Sequence, residues 1–235
     1  MEHTSIVILL VGFTLVGVLA DVEDSCIVKN VALNKPAYVS SKHRQEALAS
    51  LAVDGNLEQN YYGTEWGNDE WGKTPYCFHT QDIPSPNNWW YVDLQQMYSI
   101  EKMVFYNRID CCSERAIFEI QVDYSSDNMT NVGFVEKMNS TKTVSMPTDT
   151  RGRYVKLVQP GVSYLHLCEV EVYAVPVCCS EPCQNGGTCS ANNSDARGYE
   201  CACVKTSDYK ISGAHCEEVW MKLPTNRTYD LVPRP

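Results

Sequence analysis

The segment NRIDCCSER, residues 107–115, sets two adjacent cysteines, Cys111 and Cys112, between Asp110 and Arg115, with Arg108 just upstream. His79 precedes it in YCFHT. Guanidinium groups offer rigid forks of N–H donors, and an imidazole can donate or accept. The paired sulfurs admit four readings: metal ligands, redox thiols, halves of two unrelated disulfides, or partners of each other. Zinc is disfavoured, because arginines flank the pair and no spaced CxxC lies nearby. Asp110 and Glu114 form a carboxylate pair of the sort that glycoside hydrolysis uses. Two neighbouring arginines would keep both ionised, so no raised-pKa acid is evident and no catalysis is expected.

The compartment bears on the sulfurs. The chain opens with the apolar run SIVILLVGFTLVGVLA, which ends at Ala20. Its small residues Val18 and Ala20 suit a signal-peptide cleavage site, although the charged leading region is missing. At about 16 residues the run is shorter than a bilayer span, and no later segment is apolar enough to span. A secreted, extracellular protein starting near Asp21 is expected. Twelve cysteines after such a leader imply disulfides rather than free thiols. Sequons at Asn128, Asn139, Asn192 and Asn226 fit a glycoprotein surface. The net charge of -10 argues against nucleic acid, whose phosphates need a basic surface.

Short β-rich runs must position these groups. WWYVDL (89–94), SIEKMVFYN (99–107), AIFEIQVDY (116–124), RYVKLVQ (153–159) and CEVEVYAV (168–175) read as strands, with turn clusters VDGN, IPSPNN and SSDN between them. HRQEALASLAVDG (43–55) could hold one short helix. Trp89 and Trp90, opening a strand, are expected in the core. The pattern predicts an all-β sandwich over residues 27–175.

Composition shifts at Pro176, and residues 178–216 hold seven of the twelve cysteines with almost no apolar core. A unit so small needs covalent staples. PCQNGGTC and YECAC resemble an epidermal-growth-factor-like module, placed at 178–217, with a tail over 218–235. That resemblance implies Cys183–Cys201, Cys203–Cys216, and Cys189 with Cys178 or Cys179. It also marks Thr188 and Ser180 as candidate O-glycosylation positions. Cys26 lies just before the sandwich, and a bridge from it to the other of Cys178/Cys179 would join the sandwich ends. If Cys77 pairs with Cys168, Cys111 and Cys112 bond to each other or stay free.

His79, R-x-D-x4-R over 108–115, the CC pair, NWWYVDL, NVALNKPAYVSS (30–41), AVDGN (52–56) and LCEVEVYA (167–174) together resemble the F-type lectin (fucolectin) family. A jelly-roll β-sandwich of the discoidin and coagulation-factor-like kind is implied. The family roles fall on His79, Arg108 and Arg115 as hydrogen-bond donors to sugar, with Asp110 orienting the guanidinium groups. A joined Cys111–Cys112 pair would pack on the sugar's C–H face. His43, Tyr61 and Tyr62 would line a nook for the fucose methyl. A structural Ca²⁺ is implied on the Leu51 and Cys168 carbonyls, Asp54, Asn56 and Glu169, all oxygen donors. Tyr76 stands where the family has a small hydroxyl residue, and GTEWGNDEWGKTP (63–75) reads as an insertion beside the site. The implied function is binding of fucosylated glycans, with self-association for avidity, in innate recognition or adhesion. The rival is a discoidin-like adhesion or membrane-surface domain using the two tryptophans of EWGNDEW, although net acidity argues against anionic lipid.

Overall fold

The computed structural model describes residues 26–62, 75–81, 85–127, 129–222 and 229–231. The expected leader, residues 63–74 of the insertion with both its tryptophans, and the sequons Asn128 and Asn226 lie outside these. The strands are β1 (Lys29–Asn30), β2 (Ala37–Val39), β3 (Phe78–His79), β4 (Ser85–Pro86), β5 (Trp89–Tyr106), β6 (Phe118–Asp123), β7 (Thr130–Val135), β8 (Thr141–Ser145), β9 (Arg151–Val158), β10 (Val162–Ser163), β11 (His166–Leu167) and β12 (Glu169–Pro176). The disulfide-rich region adds β13 (Thr188–Ala191), β14 (Tyr199–Ala202), β15 (Tyr209–Ser212), β16 (Glu218–Lys222) and β17 (Tyr229–Leu231). The all-β expectation holds.

The runs 89–94 and 99–107 are one strand of 18 residues, β5. Its pairing with β9 shifts between Asp93 and Tyr98, and Gln95 takes a positive φ of 71° there. Such a bulge bends a strand and lets it serve two layers. The first half of β5 pairs with β2 and β9, the second with β12 and β8. Strand order runs β1-β12-β5-β9-β6-β7, with β2 and β8 also on β5. Inward residues of both halves, Trp90, Val92 and Leu94 with Ile100, Met103 and Phe105, share one core. Full burial of each such side chain stabilises by about 1.5–3 kcal/mol.

Two local expectations differ. The helix over 43–55 shrinks to a 3-10 turn, Ala49–Ala52, whose carbonyl at Ala49 accepts from Trp90 Nε1 at 2.9 Å. Trp90 is fully buried, but Trp89 points the other way and stacks on Tyr91 at 5.5 Å. Strand alternation puts neighbours on opposite faces.

Six disulfides form: Cys26–Cys179, Cys77–Cys168, Cys111–Cys112, Cys178–Cys189, Cys183–Cys201 and Cys203–Cys216. Cys178 and Cys179 diverge because both lie in the 3-10 turn Val177–Ser180, where successive side chains project about 120° apart. The first turns to β13 and the second to Cys26. The disulfide-rich region rests on the bulge of β5 through Met97, Val177 and Tyr199. Asn193 accepts from the Met97 amide at 3.1 Å and donates to the Gln95 carbonyl at 3.3 Å. Gly198 is required there, since its φ is +81° and a Cβ would stand 2.7 Å from the Met97 side chain.

Candidate functional site

The pocket begins at a two-rung ladder. His79 of β3 lies opposite His166 of β11, and Phe78 opposite Leu167. The Cys77–Cys168 disulfide continues the same antiparallel register. Ring centroids of His79 and His166 are 5.5 Å apart, those of His79 and His43 4.9 Å. The His43 amide donates to the His79 carbonyl at 2.9 Å, which ties that loop to the ladder. His79 is 6% exposed and His166 is fully buried. Burial, with smaller contributions from His43, Arg108 and Arg115, lowers the His79 pKa to about 4. Burial, His79 and the same arginines lower that of His166 to about 3. Both rings are therefore neutral near pH 7. The Thr80 carbonyl engages His79 Nδ1, so Nδ1 carries the proton and Nε2 carries a lone pair. In this tautomer His79 donates through Nδ1 to Thr80 and leaves Nε2 as an acceptor.

Two arginines reach the vicinity of this ring through tyrosines. The Arg108 guanidinium carbon lies 4.5 Å from the centroid of Tyr61, and that of Arg115 lies 4.6 Å from the centroid of Tyr164. Tyr61 and Tyr164 in turn approach the His79 ring, at 6.2 and 5.6 Å. Each cation is thus laid on an aromatic face. Asp110 grips Arg108 in two parallel bonds, Nε to Oδ1 at 2.6 Å and Nη2 to Oδ2 at 3.0 Å. This orients the fork, as the sequence suggested, while Nη1 is not engaged by Asp110.

The loop carrying both arginines is held from behind by side-chain amides. Asn107 Nδ2 donates to the Ser113 and Met138 carbonyls at 3.0 and 2.9 Å. Gln59 Nε2 donates to the Asn107 and Ser140 carbonyls at 2.7 and 2.9 Å, and the Gln59 main-chain carbonyl accepts from the Ile109 amide at 3.0 Å. Gln159 Nε2 donates to the Arg115 carbonyl at 3.3 Å. The joined Cys111–Cys112 pair forms the turn, with Cys112 left-handed at φ 59° and leading into the 3-10 turn Ser113–Arg115.

His43, Tyr61 and Tyr62 gather beside His79: His43 to Tyr61 is 6.4 Å and Tyr61 to Tyr62 is 4.7 Å edge-on. Tyr61 and the half-buried Tyr62 pack on Cys77 and Cys168. Sequence reasoning missed Tyr164, His166, Asn107, Gln59 and Gln159. A signal for His166 existed: pairing Cys77 with Cys168 sets a register that puts residue 79 opposite residue 166. The amides carried no such signal, because their partners are backbone carbonyls of remote loops.

Behind the pocket, Glu169 follows Cys168 on β12 and is fully buried. Its Oε1 accepts the Gly55 amide at 3.2 Å, while Oε2 is buried with no hydrogen-bond partner among the described residues. Burial, then the charge of Asp54, raises its pKa to about 8. Burial also raises that of Asp54, whose Oδ1 accepts the Asn56 amide at 2.8 Å. A buried carboxyl with one unpaired oxygen, beside the exposed carboxyl of Asp54, is a donor set that a cation would suit. Among the described residues no three His, Cys, Asp or Glu side chains gather as metal ligands. A cation here would complete its shell with carbonyl and amide oxygens such as those of Leu51, Cys168 and Asn56, a hard-donor set.

Residues 51–157 match a family described as NedA-like, galactose-binding domain. Fucolectin-3 of Anguilla japonica is 34% identical over 164 residues, which cover 65% of this chain and 83% of that protein. Among solved structures, a fucolectin from Morone saxatilis serum is 32% identical with a TM-score of 0.54, covering 63% of this chain; the chain spans about half, 49%, of that one. The lectin domain of lectinolysin, complexed with Lewis B antigen, is 28% identical with a TM-score of 0.50, covering 61% of this chain and 95% of that domain. With this identity carried across most of Fucolectin-3 and the same sandwich in the serum lectin, the chain belongs to the fucolectin, or F-type lectin, family.

Proposed function

We propose that this protein is a secreted, calcium-stabilised lectin that binds terminal L-fucose on glycans and catalyses no reaction. The observation that carries the reading is one neutral imidazole acceptor near two guanidinium forks, each backed by a tyrosine ring. A sugar hydroxyl donates to His79 Nε2 and accepts from Arg108 or Arg115, using both halves of its hydrogen-bonding capacity. Charge-assisted donation to neutral oxygens is stronger than a neutral pair. The Cys111–Cys112 edge offers sulfur and methylene surface to the ring's C–H face. His43, Tyr61 and Tyr62 supply the wall for the 6-methyl group. A galactose hydroxyl at that position would meet an aromatic wall without a partner, which disfavours it.

A calcium ion held by Asp54, Asn56, Glu169 and the Leu51 and Cys168 carbonyls would bind the Glu169 carboxylate in its buried position, with Asp54 beside it, and brace β12. The disulfide-rich region, 178–217, is read as an epidermal-growth-factor-like module. A single monosaccharide pocket per sandwich makes self-association or clustered glycans the route to avidity. Innate recognition and cell adhesion both fit such a lectin. Calorimetric titration of the oxidised protein with L-fucose, galactose and mannose tests the reading. Heat with fucose alone, lost in Arg108→Ala, supports it; no heat with any sugar overturns it.

A further inference from the structure

The outer face of the sheet carries a column of aromatic rings that the His79 pocket does not use. Tyr38 of β2 lies opposite Tyr91 of β5 in register, their rings stacked at 4.8 Å. Trp89 stacks on the same Tyr91 at 5.5 Å, and Tyr154 of β9 meets it edge-on at 6.3 Å. Trp90 and Val92, on either side of Tyr91 along β5, are fully buried, so this column faces away from the core. Cross-strand pairing of this kind stabilises a sheet. It does not account for what lies alongside. Tyr38, with one ring face against Tyr91, is still 48% exposed, and Leu48 across from it is 43% exposed. Between them runs a groove of about 370 Å³, lined by Tyr38, Lys42, Leu48, Ser50, Trp89 and Tyr91 among others.

The charge of this groove sets it apart from the rest of the protein. Lys42 lines it, and the Lys156 ammonium stands 5.4 Å from the Trp89 centroid. No carboxylate is among the described residues that line it, in a chain whose net charge is -10. An exposed aromatic face with lysines and a hydroxyl beside it suits a ligand with two properties. One is a flat apolar C–H face, which the negative face of a ring attracts. The other is an anionic substituent, which an ammonium group holds by a charge-assisted bond. A pyranose ring bearing a carboxylate or sulfate has both. The groove lies at the small end of ligand pockets and offers far less than the ~800 Å² per partner of a stable protein interface. We propose that this aromatic, lysine-flanked groove is a second carbohydrate site, distinct from the His79 pocket, for a uronate- or sulfate-bearing sugar.

The test is a titration of the full, oxidised protein at low ionic strength with a sulfated, uronate-containing tetrasaccharide and with its desulfated, carboxyl-reduced counterpart. Tyr38→Ala and Lys42→Glu are compared with the unaltered protein, and L-fucose is titrated into each as a control. Binding of the charged sugar alone, weakened about tenfold by either variant, with the fucose response unchanged, is the expected result. Equal binding of the neutral counterpart, no binding of the charged sugar, or binding insensitive to both variants overturns the proposal. So does capture by phosphatidylserine vesicles that both variants abolish, because the groove would then read a membrane surface. The fucose control is independent of these outcomes, so failure of the second site leaves the first reading standing, and the reverse.

Discussion

His79 and His166 face each other two rungs beyond the Cys77–Cys168 disulfide, with ring centroids 5.5 Å apart and neither ring protonated near neutral pH. The relationship explains how a histidine beside two arginines can present an acceptor nitrogen. Burial removes the water that an imidazolium would need, and the Thr80 carbonyl fixes which nitrogen holds the proton.

The pH dependence follows from that pairing. The folded pKa of His79 is depressed to about 4 from 6.5, so the unfolded chain takes up this proton first as pH falls. Its contribution to stability is complete above the unfolded pKa and is lost as pH falls from 6.5 towards 4, on the order of 3 kcal/mol in all. Denaturant titrations across that range should show midpoints falling with pH. Fucose affinity should collapse as pH approaches 4, where Nε2 becomes a donor near two cations. Affinity unchanged down to that pH, with the fold intact by near-ultraviolet circular dichroism, would remove the acceptor role.

Arg108→Ala and Arg115→Ala should each weaken fucose binding by about tenfold to a hundredfold, the range for a hydrogen bond from a charged donor. Arg108→Lys should rescue little, because an ammonium cannot match the two-pronged pairing with Asp110. Calorimetry on the three variants checks this. Full rescue by lysine would show that charge alone is read.

Asn107→Ala removes the donor to two carbonyls, those of Ser113 and Met138, at a fully buried position. A loss of about 2–4 kcal/mol in chemical denaturation is expected. Fucose affinity should fall with it even in conditions where the variant remains folded, since Arg115 depends on the same loop. Normal affinity in the folded variant would separate the amide clamp from the pocket.

Calcium removal supplies a further check. Chelation should lower the thermal midpoint by about 5 °C or more if the ion binds the native state alone. Without the ion Glu169 is largely protonated near pH 7, so chelated Glu169→Gln should melt close to the chelated unaltered protein at that pH and higher than it above about pH 8, where the buried carboxyl ionises. The variant's response to added calcium should be much reduced. Scanning calorimetry with and without chelator reads both effects, and a calcium-insensitive midpoint in the unaltered protein would count against the ion.

How much was legible in advance depends on how local the cause was. Alternation in WWYVDL and CEVEVYAV marked strands, because side-chain direction in a strand is set by residue parity. The motif at 108–115 showed its guanidinium groups and sulfurs by residue type alone. The cysteine-rich composition after Pro176 showed that covalent bonds would replace a core there.

Tertiary structure decided what depends on residues far apart. The turn Val177–Ser180 sent Cys179 to Cys26 and Cys178 to Cys189, a choice that adjacent identical residues cannot display. The bulge in β5 joined two expected strands into one that serves both layers. The tautomer and charge of His79 were decided only once Thr80, His166 and the burial around them were in place. A residue's type sets which protons it can hold. Its neighbours in space, which sequence spacing does not reveal, set which of them it keeps.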